Sequence, residues 1–281
     1  MKDYIKLLKK SPLAMVGTVL VIIFLFIALF APFLTPYDPI KQDLNNILQP
    51  PSWAHPFGTD TLGRDILSRI IYGARISLVI GVLVVAISSL IGMALGLISG
   101  FFGGYMDLII MRITDLFLSF PALILAMAIA GALGPSLTNT MIAISLVWWP
   151  PYARLIRGQV LTLRDKEFVE AATALGASNV KIMFMHILPN SITPAIIQAT
   201  MDLGSVILTA AGLSFIGFGA QPPTPEWGSM ISLGRNYFLK QWWLATFPGL
   251  AILFTVVGFN LLGDGIRDLL DPRIRRELKE V

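Results

Sequence analysis

Residues 77–98 read SLVIGVLVVAISSLIGMALGLI, a stretch of 22 residues without a single charge. A helix needs about 20 apolar residues to cross the hydrocarbon core of a bilayer, and a stretch this long has no polar face to show to water. It reads as a membrane span. Working back toward the N-terminus, Leu13–Leu34 is a second such run, preceded by Lys9 and Lys10. It exceeds the roughly 7–15 apolar residues of a secretory signal and leads into Ala31-Pro32-Phe33-Leu34-Thr35-Pro36 without a cleavage pattern, so it reads as a retained span. Working forward, a third run extends from about Leu108 to Leu133, with Arg112 and Asp115 near its start. A fourth covers about Leu137 to Ala153 and carries Trp148 and Trp149 before Pro150-Pro151. The fifth, Ile192–Ile216, holds one acid, Asp202, and the sixth is Trp242–Leu262. The fold expected is an all-α membrane protein with six transmembrane helices.

The composition agrees. Apolar residues make up 55% of the chain and charged residues 14%, too few to cover the surface of a soluble fold. Cysteine is absent, which removes disulfide scaffolds, thiolate metal sites and cysteine nucleophiles together. The net charge of +4 reads as orientation in a membrane and not as a nucleic-acid patch.

Six crossings place both termini on one side, and the basic residues choose which. With the N-terminus inside, Lys2, Lys6, Lys9, Lys10, Arg112, Arg154, Arg157, Arg164, Lys166, Lys181, Arg267, Arg273, Arg275, Arg276 and Lys279 are cytoplasmic. Only Lys41, Arg64, Arg69, Arg75, Arg235 and Lys240 are then outside. The positive-inside rule puts both ends in the cytoplasm. Three segments stand apart from the membrane: an outer loop 35–76, an inner loop 154–190 and an outer loop 217–241. The chain divides into an N-terminal segment, 1–76, and a core of five spans, 77–281.

The inner loop contains Glu170-Ala171-Ala172-Thr173-Ala174-Leu175-Gly176, followed twelve residues on by Leu188-Pro189. Leu161, Phe168, Ala172 and Leu175 are spaced to share one helical face. Gly176 supplies a stop for that helix. Ser178 is a candidate N-cap for a second, with Val180, Phe184 and Ile187 on one side and Pro189 at its end. A helix, a turn and a helix projecting into the cytoplasm suit a groove on a partner protein. They equally suit the membrane surface, where amphipathic helices are common.

These residues resemble the EAA loop of ABC importer permeases, with Glu170, Ala171, Ala172, Gly176, Leu188 and Pro189 at the family's spacing. His186 stands where the general pattern has isoleucine, and histidine there resembles the peptide-importer branch. The similarity extends along the chain. It includes His55-Pro56-Phe57-Gly58-Thr59-Asp60, Gly63-Arg64-Asp65, Ser68-Arg69 and Gly73-Ala74-Arg75-Ile76-Ser77. Later blocks are Gln221-Pro222-Pro223-Thr224-Pro225-Glu226-Trp227-Gly228, Phe247-Pro248-Gly249, Asn260-Leu261-Leu262-Gly263-Asp264-Gly265, Arg267-Asp268 and Asp271-Pro272. Together they resemble the "C" permease of dipeptide, oligopeptide and nickel importers. The resemblance implies a type I ABC importer permease fold whose coupling helix docks on a cytoplasmic ATPase. It also implies a homologous second permease, two ATP-binding subunits, an extracellular or periplasmic binding protein, and no nucleic acid as partner. Such a chain binds no cofactor itself; ATP and magnesium belong to the partner subunits. In agreement, the chain has no Gly-rich phosphate loop ending in lysine and a hydroxyl residue.

Individual residues carry two readings each. Asp202, in mid-span, is either a pathway residue for a substrate amino group or a structural hydrogen-bonding partner of Ser205 or a neighbouring helix. Asp107, Met111 and Asp115 share a face, and Arg112 beside Asp115 reads as local neutralisation at the interface. Gly81, Gly92 and Gly96 read as close helix contacts, and Trp242 and Trp243 as interfacial anchors. Thr61–Ser77, with Ile66, Leu67, Ile70 and Ile71 among Arg64, Asp65 and Arg69, reads as an amphipathic helix on the outer surface. With loop 217–241 it either receives a binding protein or plugs the permease. His55 and His186 have no metal-ligand spacing. A self-sufficient secondary transporter would show more mid-span charge and an internal repeat. An intramembrane enzyme would show paired acids, a serine with a base or a zinc motif, so no catalytic or metal-binding residue is assigned.

Overall fold

The computed structural model describes residues 11–270, with the side chain of Leu270 left aside. Lys2, Lys6, Lys9, Lys10, Asp271-Pro272, Arg273, Arg275, Arg276 and Lys279 therefore lie outside the described residues. Helix α1, Pro12–Leu34, begins at Ser11, whose hydroxyl accepts from the Ala14 amide, and has proline at its first position, where a missing N–H costs nothing. Helix α2, Ile66–Phe102, is a single rod of 37 residues, about 55 Å long at 1.5 Å per residue. The second span was expected to start at Ser77, behind a separate surface helix. The structure joins the two, because nothing between Ile66 and Ser77 interrupts the helical hydrogen bonding.

The expected third span is two helices, α3 (Gly104–Leu118) and α4 (Ala122–Leu133), meeting at 92°. Pro121, which lacks an amide donor, stands at the corner and N-caps α4. Helix α5, Leu137–Leu163, starts at the Ser136 cap and continues through Pro150 and Pro151 well beyond Ala153. It is followed by α6 (Glu167–Ala174), α7 (Asn179–Lys181), a π-helical segment (Ile182–Ile187) and α8 (Leu188–Ser191). Helix α9 is Thr193–Ile216, α10 is Trp227–Gly234 and α11 is Trp243–Leu270. Single 3-10 turns occur at Leu44–Asn46 and Arg235–Tyr237.

Helices α1, α2, α9 and α11 are long and apolar enough to cross a membrane, and the bent α3–α4 pair counts as a fifth when taken as one span. The fourth expected run, Leu137 to Ala153, is the first part of α5, and Arg154 and Arg157 follow it on the same helix. Helices α2 and α5 make the most extensive contact in the bundle. A methyl group on Gly92 would meet the Trp149 carbonyl at 2.4 Å, and one on Gly96 would meet the Ala153 carbonyl at 2.4 Å. Small residues spaced by four thus let two backbones touch, as membrane helices require when no hydrophobic force separates lipid from protein. Three apolar clusters fill the molecule: one at the outer end around Trp227, Trp243 and Ile66, one in the middle between α2, α5 and α9, and one under the inner segment around Tyr152, Ile156 and Ile187.

Candidate functional site

The inner segment is built on α5. Where that helix ends, a turn at 164–166 breaks the periodicity, so Leu161 does not share a face with Phe168, Ala172 and Leu175 as expected. The buried side of α6 is Val169 and Ala172, and Phe168 and Leu175 point outward. Gly176, at φ +80°, ends α6 in a Schellman arrangement: its amide donates to Thr173 O at 2.9 Å and the Ala177 amide to Ala172 O at 3.0 Å. Ser178 caps the second helix through the Lys181 amide.

That second helix does not stop at Pro189. The proline lies in the first turn of α8, and the break falls at Ile192. Its ring would collide with the carbonyl of Met185, four residues back, in a regular α-helix. The chain avoids this by widening to a π-helix over Ile182–Ile187, with the Leu188 amide donating to Met183 O, five residues back. Ile182, Met183 and Ile187 pack inward on Leu97, Tyr152, Ile156 and Val160. Outward stand Leu175 (88% exposed), Val180 (64%), Phe184 (57%) and Met185 (66%). Of the residues expected to act here, Glu170 and Ala171 are exposed on α6, His186 and Leu188 are half-buried, and Pro189 is exposed. These four exposed apolar side chains lie in one short segment, and Phe184 also lines an apolar groove with Leu90, Met93 and Leu97 of α2.

Polar clasps fix the lower part of α5 beneath this surface. Arg157 grips Asp107 of α3 through both carboxylate oxygens, with Nη2 at 2.6 Å from Oδ2, and the Ser99 hydroxyl donates to the same carboxylate. Arg154 Nη2 lies 2.7 Å from Asp115 Oδ1, so the partner of Asp115 is on α5 and not the neighbouring Arg112, which is exposed. Arg164 donates to Gly100 O of α2 at 3.2 Å. Helices α2 and α3 are thereby tied to the helix that carries the inner segment.

Asp202 is 8% exposed on α9. It accepts from Gln198 Nε2 at 3.0 Å, one turn back on its own helix, where Ser205 or a neighbouring helix was expected. Tyr152 of α5, fully buried, lies beside it with its hydroxyl outside hydrogen-bonding geometry. The acid is thus enclosed between α5 and α9 in this state.

The outer end is organised differently. Arg64 and Arg69, expected to line the polar face of a surface helix, are each only 2% exposed. Asp60 holds both, with Oδ2 at 2.7 Å from Arg64 Nε and 3.7 Å from Arg69 Nε. Its other oxygen accepts from the Leu62 and Arg64 amides. Arg69 also donates to Pro39 O and Pro223 O, joining the two outer loops. Asp65 caps α2 through the Ser68 amide and pairs with His55 Nδ1 at 2.9 Å. Trp243 Nε1 donates to Thr59 O, so this tryptophan is a buried strut, and of the two expected anchors Trp242 is the exposed one. Phe57 stacks on Phe247 with centroids 4.1 Å apart. Glu226 caps α10 through the amides of Gly228 and Ser229, and burial pushes its carboxyl above the usual range. The Asp60–Arg64 spacing of four and the Asp65–Ser68 cap were sequence signals for this assembly.

Comparisons with known proteins bear on the whole chain. The family described as binding-protein-dependent transport system inner membrane component matches residues 92–276. The N-terminal TM domain of oligopeptide transport permease C matches residues 1–51. A probable D,D-dipeptide transport system permease protein of Escherichia coli K12 is 54% identical over 267 residues, covering 95% of this chain and 90% of the relative. A dipeptide transport system permease protein of Alkalihalophilus pseudofirmus is 48% identical over 274 residues, covering 98% and 90%. A glutathione transport system permease protein of an Escherichia coli O6 strain is 43% identical, covering 95% and 88%. Among solved structures, an inward-facing methionine ABC transporter superimposes with a TM-score of 0.58 at 18% identity, covering 73% of this chain and 98% of that one.

Proposed function

The chain belongs to the binding-protein-dependent transport system inner membrane component family, and from that premise we propose that it forms half of the translocation pathway of an ATP-driven importer of small peptides. The peptide assignment rests on relatives of high identity whose names specify dipeptides. ATP and magnesium are bound by separate subunits, two of them, and a homologous permease completes the pathway. A binding protein delivers the peptide to the outer face. The lysine and arginine distribution supports cytoplasmic termini.

The observation that carries this reading is the exposed apolar surface of Leu175, Val180, Phe184 and Met185 on a segment rooted in the bundle by Val169, Ile182 and Ile187. A surface of this kind can receive force from a partner and pass it to α5 and α9. Closure of the ATPases moves it as a lever, and the spans rock between inward-facing and outward-facing states. Enclosed by Tyr152 here, Asp202 is assigned to the pathway in the state where α5 and α9 part, and there it meets the peptide's amino group. An Asp202→Asn chain of normal abundance with unchanged uptake would remove that role.

The test of the whole reading is co-purification of the tagged chain from its native membrane. A second permease and nucleotide-binding subunits are expected with the unmodified chain. Leu175→Asp combined with Phe184→Asp is expected to release the nucleotide-binding subunits, retain the second permease and reduce uptake at least about tenfold, since two charges would be buried in an apolar contact. Full uptake by the double variant, or transport by the chain alone in liposomes without ATP, would overturn it.

A further inference from the structure

On the outer half of the molecule, α1 and α2 diverge and leave an apolar groove of about 420 Å³. Leu25 and Leu29 form one wall, and Leu78, Val82 and Leu83 the other. Arg75 stands at its rim. This arginine differs from the two that precede it on the chain. Arg64 and Arg69 are buried and held by Asp60, whereas Arg75 is exposed and has no ion pair or side-chain hydrogen bond among the described residues.

The first turns of α2 belong to the outer cap, and Arg75 stands two residues before the uncharged run that begins at Ser77, which places it at the outer interface, where lipid phosphates lie. A guanidinium there, beside leucine and valine, is stabilised by an anion that meets it. Helix α1 is the least buried of the four long spans, with 22% of its central window covered, so the groove opens at the periphery of the bundle. An occupant must then offer both an acyl chain for the groove and an anion for its outer rim. From these features we infer that the α1–α2 groove binds an anionic phospholipid of the outer leaflet. One acyl chain lies along Leu29, Leu78 and Val82, and the phosphodiester accepts two hydrogen bonds from Arg75. The planar guanidinium fork matches phosphate oxygens bidentately, which a lysine at the same place would not do. The leaflet follows from the orientation proposed above; the site itself does not depend on it.

The experiment places a photo-reactive benzoylphenylalanine at Val82 in the intact importer, reconstituted in phosphatidylcholine vesicles containing one part in ten of phosphatidylglycerol. Phosphatidylglycerol is expected in the crosslinked product at about fivefold its share of the bilayer, the gain that one cation at the surface gives. Arg75→Gln should return that ratio to the bulk value while the importer is recovered in normal yield, and Arg75→Lys should keep part of the enrichment. Crosslinks in proportion to bulk composition would overturn the inference, because they show no headgroup selection. Crosslinks to a protein chain would also overturn it, by assigning the groove to the second permease. The readout is independent of ATP and of uptake, so the site and the transport reading fail or stand separately.

Discussion

The outer and inner ends of the chain are both loops between spans, yet they are finished in opposite ways. At the outer end the charges are inside: Asp60, Arg64, Asp65 and Arg69 satisfy one another and the loop backbone, and the cap closes on itself. At the inner end the apolar side chains are outside, and the polar contacts that fix the segment lie below it on α5. Glycines make the same point. Gly63 and Gly176 both hold positive φ, at +71° and +80°, but a methyl group on Gly63 would strike the Asp43 carbonyl at 1.8 Å. One on Gly176 would meet nothing within 4 Å. One end closes on itself, and the other leaves its apolar side chains uncovered.

Substitutions can break or sharpen this contrast. The largest effect is expected from Asp60→Ala, which leaves two buried guanidinium groups with no carboxylate. Removing one partner from a buried ionic group costs roughly 3–5 kcal/mol, and thermal unfolding of the purified importer should show a large fall in Tm. An unchanged Tm would mean that the outer cap is not the self-sufficient unit described. Next comes Gly63→Ala, which combines left-handed strain with a backbone collision and should cost about 3 kcal/mol, read as loss of chain in the membrane. The smallest loss of stability belongs to Gly176→Ala, about 1 kcal/mol from the backbone alone. There the chain should reach normal abundance and keep its Tm within a few degrees, while uptake falls because α6 is held less firmly. If Gly63→Ala and Gly176→Ala lower abundance equally, the distinction between the two ends fails.

Much of this was readable from the residues. The uncharged run at 77–98, the run at 13–34 and the Trp242–Leu262 stretch announce spans by length and composition alone, because a bilayer accepts little else. Gly176 as a helix stop and Ser178 as a cap were equally plain, since both act through their own backbone neighbourhood. Gly92 and Gly96 gave the contact face of α2 correctly, but the facing sides of its first turns and of the inner segment were misread. The stripe of Ile66, Leu67, Ile70 and Ile71 suggested a surface helix, but periodicity cannot show that Asp60 and the Pro39 and Pro223 carbonyls wait on the opposite side. The pairing of Asp115 with Arg154 instead of Arg112 is a tertiary choice across 39 residues. The corner at Ser119–Pro121 left a trace in the proline, but a continuous apolar run hid it. In the inner segment the expected apolar face proved to be partly the outward one. A sequence marks a residue as apolar without saying whether its own protein or another will cover it.

Six residues, Ile182–Ile187, join the inner segment to the spans that follow. A π turn and an α turn each complete one full rotation, the first with about one residue more. Losing one residue within this stretch would let it revert to α geometry with the bearing of α6 and α7 almost unchanged. It would also return the Pro189 ring to the carbonyl four residues before it, the collision that the wider turn removes. The fault would be one of stability and not of phase.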